Sequence, residues 1–169
     1  MNIYEQLTLI NKLPSKDTTI VDIGCGDGRV VEPFYAAEYK ILGIDVNPDK
    51  IAQAKISMLN ADFEVEAIED FTLPSGNLYI IAKNSLPFLN SKVAINIFLE
   101  KVSKHHGYFS LFGEQDEAVQ AKKAVAYSRE EVDNLMKKLG GVILFIEKIG
   151  DSVNLKGEPR KSHKFEIYR

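Results

Sequence analysis

Tryptophan is absent from the 169 residues, cysteine occurs once and histidine three times. A lone Cys25 excludes an internal disulfide framework, and without clustered Cys and His at ligand spacing no structural zinc site is expected. His105-His106 is the single adjacent pair, and neighbouring residues diverge in direction, so a polar helix terminus explains it better than a metal. No apolar run reaches the length of a bilayer span. Strong charge of either sign is also missing. Twenty-one Lys and Arg against 24 Asp and Glu leave a formal charge of −3, which supplies no general attraction to polyphosphate. The start, Met1-Asn2-Ile3-Tyr4-Glu5-Gln6, lacks a basic stretch followed by an apolar signal core. The expectation is a cytoplasmic protein with no membrane and no nucleic-acid partner.

With 45% hydrophobic and 27% charged residues, the chain has the composition of an ordinary globular protein, and residues 1–169 are expected to form a single domain. No internal repeat, low-complexity tract or linker interrupts it.

The most informative stretch is Ile20-Val21-Asp22-Ile23-Gly24-Cys25-Gly26-Asp27-Gly28-Arg29. An apolar run reads as a buried strand and stops at a loop with glycine at every second position. Such glycines turn the backbone tightly and let a ligand approach without meeting Cβ atoms. A helix placed after them would direct free N–H groups at that ligand. A dinucleotide fingerprint needs a third glycine three residues after the second, and Arg29 stands there. A second acid, Asp45, closes the next apolar run, Ile41-Leu42-Gly43-Ile44, 21 residues past Gly24. A carboxylate at that point can accept both hydroxyls of a ribose.

Further elements follow by pattern. Ile3, Leu7 and Ile10 have helical spacing, and a helix is expected to Pro14, with Tyr4 either near the substrate mouth or packed on the core. Val30, Val31, Phe34 and Tyr35 give the helix after the glycine loop. Asn47-Pro48-Asp49 is a capped helix start. Asp62–Ile68 alternates as an edge strand, and Leu78–Ala82 is a central one. Val93–Val102 is helical and Tyr108–Phe112 a strand. Ala118–Lys123 is a lid or irregular insertion. Ser128 and Glu131 form a capping box for a helix that stops at Gly140-Gly141. Val142–Ile146 and Lys164–Tyr168 are strands, with a turn expected at Gly150-Asp151.

Asp22-Ile23-Gly24-Cys25-Gly26-Asp27-Gly28 resembles the first motif of the class I S-adenosylmethionine (SAM)-dependent methyltransferases. Leu111–Asp116, the helix after Tyr127-Ser128, and Gly157–His163 resemble a small bacterial group related to the tellurite-resistance methyltransferases. The resemblance implies a Rossmann-like, doubly wound α/β fold with a seven-stranded sheet in the order 3-2-1-4-5-7-6, strand 7 antiparallel. It implies SAM as cofactor, S-adenosylhomocysteine (SAH) as product, and a small-molecule or soft anionic acceptor. Cofactor binding would fall to Asp22, Gly24, Cys25, Gly26, Gly28, Asp45 with Val46, Ile68-Glu69 beside the adenine, and Asn84. Ile68 stands where the family usually has an acid. Cys25 reads as a small residue beside the cofactor rather than a nucleophile. On the acceptor side Asn84, Glu114, Asp116, Arg160 and His163 are candidates, His163 as a base. Asn84-Ser85-Leu86-Pro87 departs from the acid or amide followed by two prolines and an aromatic ring of the nucleic-acid amino-methyltransferases, which argues against a base amine. Two other classes compete: a nicotinamide oxidoreductase, disfavoured by Arg29, and a SAM- or SAH-binding protein without catalysis, acting as a sensor or interaction module. Nothing distinguishes monomer from homodimer.

Overall fold

The computed structural model describes residues 1–153 and 158–169. Helices and strands alternate as α1 (Ile3–Leu9), β1 (Thr19–Ile23), α2 (Glu32–Ala36), β2 (Lys40–Asp45), α3 (Pro48–Ser57), β3 (Asp62–Val65), β4 (Leu78–Ala82), α4 (Lys92–Lys101), β5 (His106–Gly113), α5 (Glu117–Gln120), β6 (Ala126–Tyr127), α6 (Arg129–Leu139), β7 (Leu144–Val153) and β8 (Pro159–Tyr168). The strand order is β3-β2-β1-β4-β5-β8-β7, with β6 pairing β5. This is the expected doubly wound order. The two-residue β6 is an addition, so the closing antiparallel pair becomes β7 and β8.

Two compact units make up the chain, Met1–Lys83 with Lys104–Tyr108, and Asn84–Ser103 with Phe109–Arg169. In the first, β1 pairs in parallel with β2 and with β4, and β2 with β3. Ile20, Val21, Ile23, Ile80 and Ile81 are fully buried, as continuous apolar strands must be when both faces are covered. β3 has one buried residue in four, Phe63, and forms the sheet edge with Asp62 and Glu64 exposed. Carboxylates there protect the edge from pairing with another chain. Tyr4 packs edge to face on Phe34 at 5.2 Å, which joins α1 to the core.

In the second unit, Leu144↔Tyr168 through Val153↔Pro159 pair without a break. α6 opens with the expected capping box and ends at Gly140. Glycines 140 and 141 both take left-handed φ values, 64° and 62°. The chain therefore becomes a strand only at Leu144, two residues later than the apolar run predicts.

Three local expectations are corrected. Gly150 and Asp151 do not turn the chain. They lie inside β7 opposite Ser162 and Lys161, glycine being tolerated in a strand wherever the partner strand supplies the hydrogen bonds. The helix after the glycine loop has only five residues and no side-chain cap, because Gly28 first closes a turn with Val31 and Glu32 on its carbonyl. Alternation beyond Val65 does not continue as strand, since Asp70 and Phe71 N–H both bond to the Ala67 carbonyl and fold Ile68-Glu69 into a turn. Gly157, part of the late resembling segment, lies outside the described residues.

Candidate functional site

Parallel strands of the first unit end together, and their carboxyl ends carry the predicted cofactor residues: the glycine loop after β1, Asp45 and Val46 at β2, Ile68-Glu69 after β3, and Lys83 after β4. Asp22 and Ile81 are register partners, so the point where the winding reverses falls beside the loop.

Four of the glycine-loop N–H groups are not available to an anion. Gly24 and Cys25 both donate to the Ile44 carbonyl at 2.8 and 2.9 Å, and Gly28 donates to Cys25 at 3.0 Å. Gly26 N–H is held by Asp45 Oδ2 at 2.9 Å. The other Asp45 oxygen receives Asn47 N–H at 2.9 Å, and Asn47 in turn caps α3. Asp45 is therefore both a candidate ribose acceptor and the clamp that ties the loop to β2. With the N–H groups of residues 24, 25, 26 and 28 consumed and α2 too short to act as an anion-binding helix terminus, the loop does not offer a pyrophosphate cradle, in line with the dinucleotide fingerprint that Arg29 breaks.

The loop offers negative charge instead. Asp22 is 1% exposed and its Oδ2 is buried without a hydrogen-bond partner. Burial pushes its pKa up to about 7; Lys83 opposes the shift and Asp45 adds to it. An orphaned carboxylate oxygen is costly in isolation, and a cationic ligand would relieve it.

The glycines divide the work. A Cβ on Gly26, at φ +56°, would meet nothing within 4 Å, so this is where the loop leaves room. A Cβ on Gly28 would stand 2.3 Å from Met58 Cε, and one on Gly43 within 2.7 Å of two Phe63 ring atoms. These two serve packing. Cys25 is buried with its thiol beside Gly43, and burial drives its pKa upward. Its side chain thus packs in the core, and only its backbone belongs to the loop. Val46 is 68% exposed, Ile68 half-buried and Glu69 exposed.

The acceptor candidates lie in the second unit. Asp116 is fully buried: it caps α5 through Ala118 N–H at 3.0 Å, pairs with Arg160 at 2.6 Å, and receives His163 N–H at 3.3 Å. His163 lies against Gly113, where a Cβ would come within 2.3 Å of the imidazole. Its Nδ1 accepts Gln115 N–H at 3.4 Å, which places the proton of the neutral ring on Nε2, 3.0 Å from Glu147 Oε1. Both ring nitrogens are thus engaged. Arg160 Nε is buried without a partner, while Glu114 is exposed. Asp116, Arg160 and His163 are brought together; Asn84 is bound elsewhere, to Ser110 on β5. Sequence reasoning missed Ser110, Glu147, Lys83 and Gly113. Only Ser110 carried a signal, a polar residue within the apolar run Tyr108–Phe112. Among the described residues no group of three or more His, Cys, Asp and Glu could hold a metal ion.

Fold and site define a doubly wound α/β protein whose strand ends suit a cationic, ribose-bearing ligand. Residues 20–105, just over half of the chain, match the methyltransferase domain family, and the chain belongs to it: it carries a methyltransferase domain of the class whose methyl donor is SAM. No curated protein matches the sequence. Among solved structures, a SAM-dependent methyltransferase from Methanosarcina mazei is 16% identical, with 99% of this chain and 97% of that one covered and a TM-score of 0.74. TehB from Haemophilus influenzae is 15% identical over 97% of this chain and 59% of that one, TM-score 0.77. The magnesium protoporphyrin IX methyltransferase from Synechocystis PCC 6803, a structure with bound SAM, is 16% identical over 99% and 76%, TM-score 0.66. At these identities the likeness is one of fold.

Proposed function

We propose that this chain transfers the methyl group of SAM to a small-molecule or soft anionic acceptor, with residues 1–169 working as one methyltransferase domain. The reading extends to a cytoplasmic, bacterial enzyme, monomeric or homodimeric, that does not act on nucleic acid or at a membrane. The observation that carries it is the orphaned Asp22 carboxylate beside a glycine loop whose N–H groups at 24, 25, 26 and 28 are already bonded. A pyrophosphate cofactor would meet negative charge and no donors from these four residues; the ammonium and sulfonium of SAM are matched to it.

When bound, SAM supplies an activated methyl carbon and its own leaving group, so the protein need only bind, orient and exclude water, effects worth up to about 7–11 kcal/mol of barrier. Asp22 accepts the ammonium of the methionine moiety. Gly26 gives the approach, and Asp45, already fixed by Gly26 and Asn47, accepts the ribose hydroxyls. Val46 and Ile68 provide apolar contact for the adenine, with Glu69 as its polar neighbour. On the acceptor side Asn84 supplies the polar contact and Glu114 an exposed carboxylate. The Asp116–Arg160–His163 group holds the loop after β5 in shape. Use of His163 as a base would require release from Glu147 or Gln115.

Calorimetric titration with SAH and with NAD tests this. Micromolar SAH binding with no NAD binding is expected, and the reverse overturns the reading. SAH binding without methyl transfer to any acceptor would favour the non-catalytic sensor.

A further inference from the structure

Asn84 lies two residues past the carboxyl end of β4 and adopts a left-handed backbone, φ +57°, a conformation asparagine tolerates better than most residues. Its N–H donates to Ser110 Oγ at 2.7 Å. Ser110 is 0% exposed, so its one hydroxyl proton must find an acceptor inside the protein, and the acceptor is Asn84 Oδ1 at 3.5 Å. Of this pair the backbone bond is short and the side-chain contact long, and together they turn Oδ1 of the amide toward Ser110. With Oδ1 turned to Ser110, Nδ2 makes no hydrogen bond among the described residues and is left as a donor. Beside it in sequence, Ser85 Oγ is buried and also without a partner.

We infer that Ser110 is a positioning residue that sets acceptor specificity: by holding Asn84 Oδ1 it presents an amide N–H, with the Ser85 hydroxyl beside it, to an acceptor atom that carries lone pairs and no N–H of its own. The inference rests on the methyltransferase reading. An amine acceptor must have its N–H groups accepted so that its lone pair can be aimed, and at Asn84 the oxygen that would do so is taken. A thiolate or comparable soft anion is held by donors alone. In the transfer, a lone pair of the acceptor forms the new bond to the methyl carbon while the carbon–sulfonium bond breaks and its electrons remain with SAH. When the acceptor enters as an anion no proton has to be removed, in keeping with the engaged nitrogens of His163.

The test uses the full chain with two acceptors of matched size, 2-mercaptoethanol and ethanolamine, and sodium hydrosulfide as the smallest anion. Transfer of labelled methyl to the two sulfur compounds, at least tenfold faster than to ethanolamine at pH 8, is expected. In the SAH complex the Asn84 side-chain amide resonance, assigned through its loss in Asn84→Asp, should move on addition of hydrosulfide and stay in place with ethanolamine. This arm needs neither turnover nor a Ser110 variant. Ser110→Ala should lower kcat for hydrosulfide about tenfold and abolish the resonance shift with SAH affinity within twofold of wild type, and Ser110→Thr, which keeps the hydroxyl, should recover both. Preference for ethanolamine, an Asn84 resonance indifferent to hydrosulfide, or a Ser110→Ala protein with unchanged selectivity overturns the inference while SAH binding persists. Loss of SAH binding in the wild type overturns the methyltransferase reading and this inference with it.

Discussion

The two units differ in the sign of what they leave unsatisfied. The first buries an acceptor without a donor, Asp22 Oδ2, and spends the N–H groups of its glycine loop internally. The second buries a donor without an acceptor, Arg160 Nε, as well as a partnerless hydroxyl free to donate or accept, Ser85, and pairs its deepest carboxylate, Asp116, with an arginine, a helix N-terminus and a backbone N–H. Orphaned polar groups of opposite kind suit ligands of opposite kind: a cation in the first, a lone-pair donor in the second.

Substitution of Asp22 tests this contrast most severely. Asp22→Asn should lower SAH affinity about a hundredfold, roughly 2.7 kcal/mol, the scale of a hydrogen bond to a charged group. The same change should stabilise the free protein. A carboxyl whose pKa rises to about 7 on folding holds a proton in the native state that the unfolded chain has released. Its contribution is full below the unfolded value near 4 and falls as pH rises through 7. The variant's gain in Tm should therefore be present at pH 8 and absent at pH 4, and wild-type SAH affinity should weaken below pH 7. A variant equally destabilised at both pH values would show that Asp22 has a native partner and would remove the contrast.

Gly113→Ala probes the second unit by the same logic of space. A Cβ 2.3 Å from a rigid imidazole cannot be accommodated without displacing His163 from Glu147 and Asp116, and a loss of about 1–3 kcal/mol is expected in denaturant unfolding. Asp45→Ala should weaken SAH binding several-fold and, because Gly26 and Asn47 N–H lose their acceptor, also cost roughly 1–2 kcal/mol of stability. Unchanged SAH affinity there would remove Asp45 from the ribose. At the small end, Lys138→Ala, which breaks an exposed ion pair with Glu100, should change stability by no more than about 0.5 kcal/mol.

The capping box at Ser128 and Glu131, the cap at Asn47 and the glycine motif were legible in the chain because each depends on neighbours in sequence: a hydroxyl three residues before a glutamate, an asparagine before a proline, glycines at fixed offsets; the strand order was what the motif's family resemblance implied. The glycine loop was legible as a site. Free N–H groups were expected from the helix after it, but α2 begins only at Glu32 and has five residues; the acceptors that bond the N–H groups of Gly24, Cys25 and Gly26, the Ile44 carbonyl and Asp45 Oδ2, come from the adjacent strand. Gly43 and Gly113 carried no signal, since what excludes a side chain there is a ring from a distant segment, Phe63 and His163.

The sequence alone thus determined a doubly wound methyltransferase domain and the two acids at the ends of its first two strands, because periodicity and motif spacing are properties of the chain itself. Only the tertiary structure decided which donors and acceptors remain unsatisfied: that Asp22 Oδ2 is buried without a hydrogen-bond partner, that Asp116 is paired with Arg160, and that Ser110 turns the Asn84 amide. Hydrogen bonds between residues 19 to 47 positions apart are made or missed only when the strands are laid side by side.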